Sequence, residues 1–113
     1  MGRSLGELEQ LILFAVVDLG DDAYGAAIGR SIEERTGRRI SAGAIYTALD
    51  RLITRGFVRA RVGEPTPRRG GRRKKLYRLE PEGALELRRS TRTLQDMAEG
   101  LLPKLDSLVG DSA

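Results

Sequence analysis

Residues 40–62, ISAGAIYTALDRLITRGFVRARV, contain the pattern that decides the fold: a helix start, an amphipathic helix, a glycine stop and a strand. Ser41 is a good N-cap residue, and Ile40 and Ile45 are placed to form a hydrophobic staple around it. The apolar side chains that follow recur at helical spacing and predict a buried face: Ile45, Ala48, Leu49, Leu52 and Ile53. Gly56 ends the helix, and the residues after it alternate between apolar and basic, as strands do.

The segment before this stretch predicts a first helix that is apolar on nearly every side. Ser4 and Glu7 have the spacing of a capping box, and Gly20 stops the helix. Leu13 and Val17 lie opposite its main apolar face. A small domain covers one such face well, so we expect a partner subunit to cover the other.

A second helix and a hairpin complete the region around the quoted stretch. The second helix is predicted to be capped by Asp21 and Asp22 and to end at Gly37. Phe57–Val62 and Lys75–Leu79 predict two strands, joined by a basic loop rich in proline and glycine. The loop is predicted to be flexible, and it is too long for a tight hairpin turn.

A fourth helix is predicted from Pro81, because proline suits the first helical position. Its apolar residues alternate by three and four, which is the pattern of a heptad seam: Ala84, Leu87, Thr91, Leu94, Ala98, Leu101, Leu105 and Leu108. Gly100 and Pro103 predict a kink or a restart between them.

Composition excludes most enzyme classes. The 113 residues include no Cys, His or Trp. An imidazole base, a thiolate nucleophile and a metal cage of nitrogen and sulfur ligands are therefore not available. We expect no catalysis, no cofactor and no metal site. The lack of cysteine suits a reducing compartment, and no signal peptide or membrane span is evident, so a cytoplasmic location is expected.

Positive charge is concentrated in the hairpin. The net charge of the chain is +4, but residues 59–78 contain nine basic residues and one acidic residue, and the rest of the chain is net negative. Such a cluster is typical of a surface that binds a polyanion. A small α+β interaction domain with a merely solvated charged surface is the alternative, and the clustering disfavours it.

The order of three helices, a basic hairpin and a long helix is the layout of a winged helix-turn-helix, in which the third helix enters the DNA major groove. The predicted fold class is mainly α with a two-stranded β-wing, followed by a C-terminal dimerisation helix. We predict a DNA-binding domain at 1–80, the dimerisation helix at 81–109 and a frayed tail at 110–113.

Particular stretches resemble the PadR family of bacterial transcriptional regulators. They are AYGAAI at 23–28, GAIYTALDRL at 43–52 with GFV at 56–58, and GRRKKLYRLEPEG at 71–83. The resemblance extends from Leu5 to about Leu108. It implies a homodimeric repressor that is often ligand-responsive and autoregulatory, in the subgroup with a single C-terminal dimerisation helix.

Candidate DNA contacts lie in the turn before the third helix, on that helix and in the wing. Arg38 and Arg39 are predicted to contact phosphates. Tyr46 resembles the tyrosine that faces DNA in the family. Arg51 could read guanine with two hydrogen bonds, or could instead contact a phosphate or pair with Asp50. The predicted set is Arg38, Arg39, Ser41, Gly43, Tyr46, Thr47, Arg51, Arg68, Arg69, Arg72, Arg73, Lys74 and Lys75.

The candidate dimer interface combines the heptad seam with the outer face of the first helix. Packing of the seam on its own subunit is the alternative. The predicted interface residues are Leu13, Val17, Leu87, Leu94, Ala98, Leu101 and Leu105. A small apolar effector is expected between the fourth helix and the first helix of the partner, where apolar surface exceeds the needs of one domain.

These features predict a homodimeric, sequence-specific regulator, with double-stranded DNA bearing a palindromic operator as its partner. The alternative is a sequence-tolerant basic nucleic-acid-binding protein. Thr47, Asp50 and Arg51 argue against it, because they offer varied hydrogen bonding and little bulk charge. A winged-helix module that binds another protein is a further alternative, and the strong positive charge of the wing disfavours it.

Overall fold

The computed structural model describes residues 4–65 and 73–110, which form five α-helices and a two-stranded antiparallel sheet. The elements are α1 (Glu7–Leu19), a 3₁₀ turn (Gly20–Asp22), α2 (Gly25–Thr36), α3 (Ala42–Thr54), β1 (Val58–Pro65), β2 (Arg73–Leu79), α4 (Pro81–Ala98) and α5 (Leu102–Val109). The predicted class, mainly α with a two-stranded wing, is confirmed. None of the helices in these ranges is long and apolar enough to span a membrane.

The α1 helix starts two residues later than predicted. Its N-cap is Gly6, whose backbone amide donates a hydrogen bond to the Glu9 carboxylate at 2.9 Å. The predicted capping box of Ser4 and Glu7 is therefore wrong. Leu5, which that prediction placed at the first helical position, is instead buried in the core ahead of the helix. The chain before α1 stays extended so that this leucine can be buried. The helix cap is therefore at Gly6 and not at Ser4.

The α2 helix also starts later than predicted, because the wing holds the chain in front of it. Asp21 and Asp22 lie in the 3₁₀ turn, and the N-cap is Tyr24. The Tyr77 amide of β2 donates a hydrogen bond to the Ala23 carbonyl at 2.8 Å, and Tyr24 forms an isolated antiparallel bridge with β2. These contacts hold Tyr24 in an extended conformation and keep Ala23 out of the helix. The aspartate cap is therefore wrong.

The start of α3 and its buried face are as predicted. The Ala44 amide donates a hydrogen bond to the Ser41 hydroxyl at 3.1 Å, which satisfies one of the free amides of the first turn. Four of the five predicted core residues are buried, and Ile53 is half-buried. Gly56 follows the helix with a φ of 79°, a left-handed conformation that favours glycine.

The core is built around α1, and this corrects two predicted interface residues. The helices α2, α3 and α4 and the strand β2 all pack on α1. Its own chain therefore covers more of α1 than the sequence suggested, and Leu13 is completely buried. Leu87 of α4 is also buried in this core. Placing Leu13 and Leu87 on a surface that meets a partner was wrong.

The C-terminal region breaks where glycine and proline predicted. The α4 helix ends at Ala98, Gly100 has a φ of 76°, and α5 begins at Leu102 with Pro103 in its first turn. Beyond Leu87, the leucines of the heptad seam are exposed: Leu94, Leu101, Leu105 and Leu108. An eight-residue helix is marginal by itself in water, and every apolar side chain of α5 is exposed in the single chain.

Candidate nucleic-acid interface

The outward face of α3 is polar and accessible. Gly43, Thr47, Asp50 and Arg51 are all exposed, while the opposite face is packed in the core. Within residues 4–65 and 73–110, Arg51 takes part in no ion pair, so the predicted alternative in which Asp50 neutralises it is not observed. Its five guanidinium donors are free to meet an acceptor outside the protein.

Tyr46 leans from α3 onto the first residue of α2. A Cβ atom added to Gly25 would lie 2.3 Å from the Tyr46 hydroxyl oxygen, so the phenol occupies the space that any other residue at position 25 would fill. Tyr46 nevertheless remains 45% exposed. The phenol is thus placed at the surface between α2 and α3. The sequence did not reveal this role of Gly25. Its only unusual feature there is a glycine in the first turn of a helix, where glycine is unfavourable.

The two arginines of the turn before α3 are exposed and paired. Arg38 forms an ion pair with Glu7, and Arg39 forms one with Glu33 at 3.4 Å. Pairs between exposed side chains contribute only about 0 to 1 kcal/mol. An incoming phosphate can therefore replace the carboxylate at little cost.

The wing extends the basic surface away from the body. In the antiparallel register Arg59 is opposite Arg78, and Val62 is opposite Lys75. Arg59 pairs with Glu80 at 2.6 Å. Val58 is buried, but Val62 is 61% exposed, because the strands leave the core before they reach it. The apolar side chains that alternate along β1 are therefore buried only near the body.

Only part of the predicted wing site can be placed. Lys74 and Lys75 are exposed on β2. Arg73 is the first residue of that strand and is described by its backbone alone. Arg68, Arg69 and Arg72, together with the end of the predicted tail at 111–113, lie outside the described residues.

Tyr24 brings together two cations that the sequence did not connect. The Arg30 guanidinium donates a hydrogen bond to the Tyr24 hydroxyl at 2.7 Å, and the Lys74 ammonium lies 4.0 Å from the centre of the tyrosine ring. The hydrogen bond from Arg30, reinforced by both positive charges, lowers the pKa of the Tyr24 phenol. The neighbouring Tyr77 differs, because burial raises the pKa of its phenol.

The predicted dimer surface includes exposed apolar side chains on α1, α4 and α5. The unpartnered residues of α1 are Phe14 and Val17, which are 47% and 55% exposed. They border a groove of about 320 Å³ between α1 and α4. Thr91 lines this groove, and its hydroxyl is buried without a hydrogen-bond partner among the described residues. The groove therefore has an apolar wall, the Thr91 hydroxyl and a polar rim that includes Arg88, Arg92 and Gln95.

Comparison with known proteins agrees with this geometry. Residues 13–89, more than half of the chain, match the model of the transcriptional regulator PadR-like family. No curated protein matches the chain.

Several solved structures share the fold. A transcriptional regulator from Clostridium thermocellum is 23% identical, with 81% of this chain and 86% of that chain covered and a TM-score of 0.68. A PadR family regulator from Clostridium difficile is 20% identical, with coverage of 87% and 98% and a TM-score of 0.69. A PadR-like regulator from Bacillus cereus is 19% identical, with coverage of 87% and 89% and a TM-score of 0.69.

Proposed function

The chain belongs to the PadR-like family of transcriptional regulators, and from this premise we propose that it is a homodimeric, sequence-specific DNA-binding repressor. The observation that carries the proposal is the exposed polar face of α3, where Arg51 has no ion pair with any described residue, beside a wing rich in lysine and arginine. A polar helix of this kind fits the major groove, and a basic arm fits the phosphate backbone.

We assign base reading to α3 and phosphate binding to the surrounding cations. Thr47 and Arg51 are one turn apart on the exposed face and present a hydroxyl and a forked guanidinium to base edges. Arg38, Arg39 and the wing lysines are placed to neutralise phosphates on either side. The proposed DNA-binding domain is residues 1–80, residues 81–109 form the dimerisation region, and 110–113 are a tail. Such a regulator meets bacterial DNA in the cytoplasm.

Arg51→Ala and Lys75→Ala are expected to differ in kind. Arg51→Ala should cost about 1 to 3 kcal/mol per lost base contact on the operator and much less on random DNA. Lys75→Ala, which removes a phosphate contact, should weaken binding to both duplexes alike. The slope of the logarithm of the binding constant against the logarithm of salt concentration should fall by about one unit per contact. Fluorescence-anisotropy titrations at several salt concentrations measure both effects. The two roles would be reversed if Lys75→Ala lost binding to the operator alone while Arg51→Ala lost binding to both duplexes equally.

Gly25→Ala tests whether the position of the Tyr46 phenol matters. The new methyl group would overlap the tyrosine hydroxyl, and the ring, which is at the surface, should swing aside with little effect on stability. We expect unfolding by heat to change little, while DNA affinity falls about as far as in Tyr46→Phe, which lacks the same donor. Unchanged affinity in Gly25→Ala would mean that the phenol does not contact DNA.

We further propose that the regulator responds to a small apolar effector and represses its own gene. The groove between α1 and α4 adjoins the proposed dimer surface, so a second subunit would close it. The Thr91 hydroxyl, which has no partner among the described residues, offers a ligand a hydrogen bond beside the apolar wall of the groove. Compounds that raise the melting temperature of the wild type should lose most of that effect in Thr91→Val and should change operator affinity. A compound that stabilises both proteins equally does not use this groove.

A further inference from the structure

The cluster of Tyr24, Arg30 and Lys74 concentrates positive charge, and no ion pair with a carboxylate of the described residues offsets it. The Arg30 guanidinium carbon lies 5.6 Å from the centre of the Tyr24 ring, and the Lys74 ammonium lies 4.0 Å from it. Both cations therefore border one neutral phenol. Like charges this close repel each other, and a cation–π contact at an exposed site returns only about 0.5 to 1 kcal/mol.

Several other arginines in the described ranges have a carboxylate partner. Arg35 pairs with Asp18, Arg38 with Glu7, Arg39 with Glu33, Arg59 with Glu80 and Arg89 with Glu86. Among the same described residues, neither Arg30 nor Lys74 has a carboxylate partner. Two cations that converge on one phenol, with no carboxylate within ion-pair distance among the described residues, leave a place for an external anion.

The cluster lies beside the recognition helix. Tyr24 directly precedes Gly25, on which the Tyr46 phenol of α3 rests. Lys74 belongs to β2, and the backbone of the same strand pairs with Tyr24 through Leu76. The cluster thus spans the junction between α2 and the wing, with α3 next to it. In a helix-turn-helix the helix before the recognition helix crosses the DNA backbone, so the anion at this junction is a phosphate.

We propose that Tyr24, Arg30 and Lys74 together bind one phosphodiester of the DNA backbone, an inference that rests on the proposed DNA-binding function. Arg30 supplies a forked donor and Lys74 a mobile point charge, which are the two usual means of binding phosphate. The Tyr24 hydroxyl accepts from Arg30 and keeps its own proton, which it can donate to a phosphate oxygen. Since Arg30 also lowers the pKa of this phenol, the phenol is a stronger donor.

Arg30→Gln tests the site most directly. It should weaken binding to the operator and to a random duplex by the same factor, about tenfold for each lost charged hydrogen bond. The slope of the binding constant against salt concentration, both as logarithms, should fall by about one unit per subunit. Arg30→Lys keeps the charge and should keep the wild-type salt dependence. Tyr24→Phe keeps the ring and should lose affinity without a change in salt dependence, because no charge is removed.

Arg35→Gln is the matched control. Arg35 is on the same helix, five residues further along and turned well away from Arg30, and its charge already pairs with Asp18. This variant should bind DNA like the wild type. Circular dichroism melts of all four variants separate a folding defect from a binding defect.

The results distinguish this site from the function on which it rests. If the wild type binds duplex DNA and Arg30→Gln binds it with the same affinity and salt dependence, the site is wrong and the function stands. Loss of operator binding alone in Arg30→Gln would make Arg30 a base reader and would also overturn the site. If the wild type binds neither duplex, both proposals fail.

Discussion

Leu94→Glu is expected to convert the dimer into a folded monomer. Leu94 is 60% exposed in the single chain, so the glutamate disturbs little within the subunit. In a dimer packed through α4, however, it would place an unpaired charge in an apolar seam, at a cost of about 3 to 5 kcal/mol. Since two-fold symmetry introduces the change twice, association at micromolar concentration should be lost. Sedimentation velocity measures the mass, and circular dichroism verifies the helices.

Leu85→Glu is the control for that experiment. Leu85 is also an exposed leucine of α4, but it is nine residues from Leu94, which places it on the opposite side of the helix. It should leave the dimer intact. A wild type that sediments as a monomer, or an unchanged dimer in Leu94→Glu, would contradict the proposed interface.

Gly83→Ala is expected to lower the free energy of unfolding by about 3 kcal/mol. A Cβ atom at this position would lie 2.4 Å from the Phe57 carbonyl oxygen and 2.8 Å from a methyl carbon of Leu79. The carbonyl cannot move freely, because it accepts the hydrogen bond from the Glu80 amide at 2.8 Å. Relief therefore requires the first turn of α4 to shift from the sheet, and overpacking of this kind usually costs about 1 to 3 kcal/mol.

Gly43→Ala separates this clash from the general effect of a methyl group on a helix. A Cβ at Gly43 would meet nothing within 4 Å. Since alanine is the better helix former by about 1 kcal/mol, this variant should be slightly more stable than the wild type. Urea unfolding measures both changes. Equal stability of Gly83→Ala and the wild type would show that α4 is not held this tightly against the sheet.

Apart from the Ser4–Glu7 capping box, local signals in the sequence predicted several local features of the fold correctly. Ser41 caps α3, Gly37 ends α2 with a left-handed φ of 76°, and the chain breaks between Gly100 and Pro103. Each of these depends on a few neighbouring residues whose conformational preferences are strong. The same holds for the alternation that predicted the strands of the wing.

Features that depend on distant residues could not be predicted in the same way. The start of α2 is fixed by β2 about fifty residues further along, so the caps at Asp21 and Asp22 were a reasonable but wrong choice. Leu13 looked unpartnered because the sequence does not show that several elements of the chain surround α1.

The candidate site was likewise predicted in part. The exposed face of α3 followed from helical periodicity, which needs only the sequence of that helix. Tyr24, Arg30 and Lys74 come together through a tertiary contact. Such a contact has no periodic or motif-like signature in the sequence, so the cluster could not be predicted. The pairing of Arg38 and Arg39 with Glu7 and Glu33 was hidden for the same reason.

Selection of binding sites from a pool of random duplexes tests the central claim most directly. A homodimer that reads sequence with α3 should enrich a two-fold symmetric site, with half-sites about one helical turn, or ten base pairs, apart. Arg51→Ala should enrich a degenerate version of the same site. Bound duplexes without any shared sequence would contradict the proposal and support a sequence-tolerant nucleic-acid-binding protein instead.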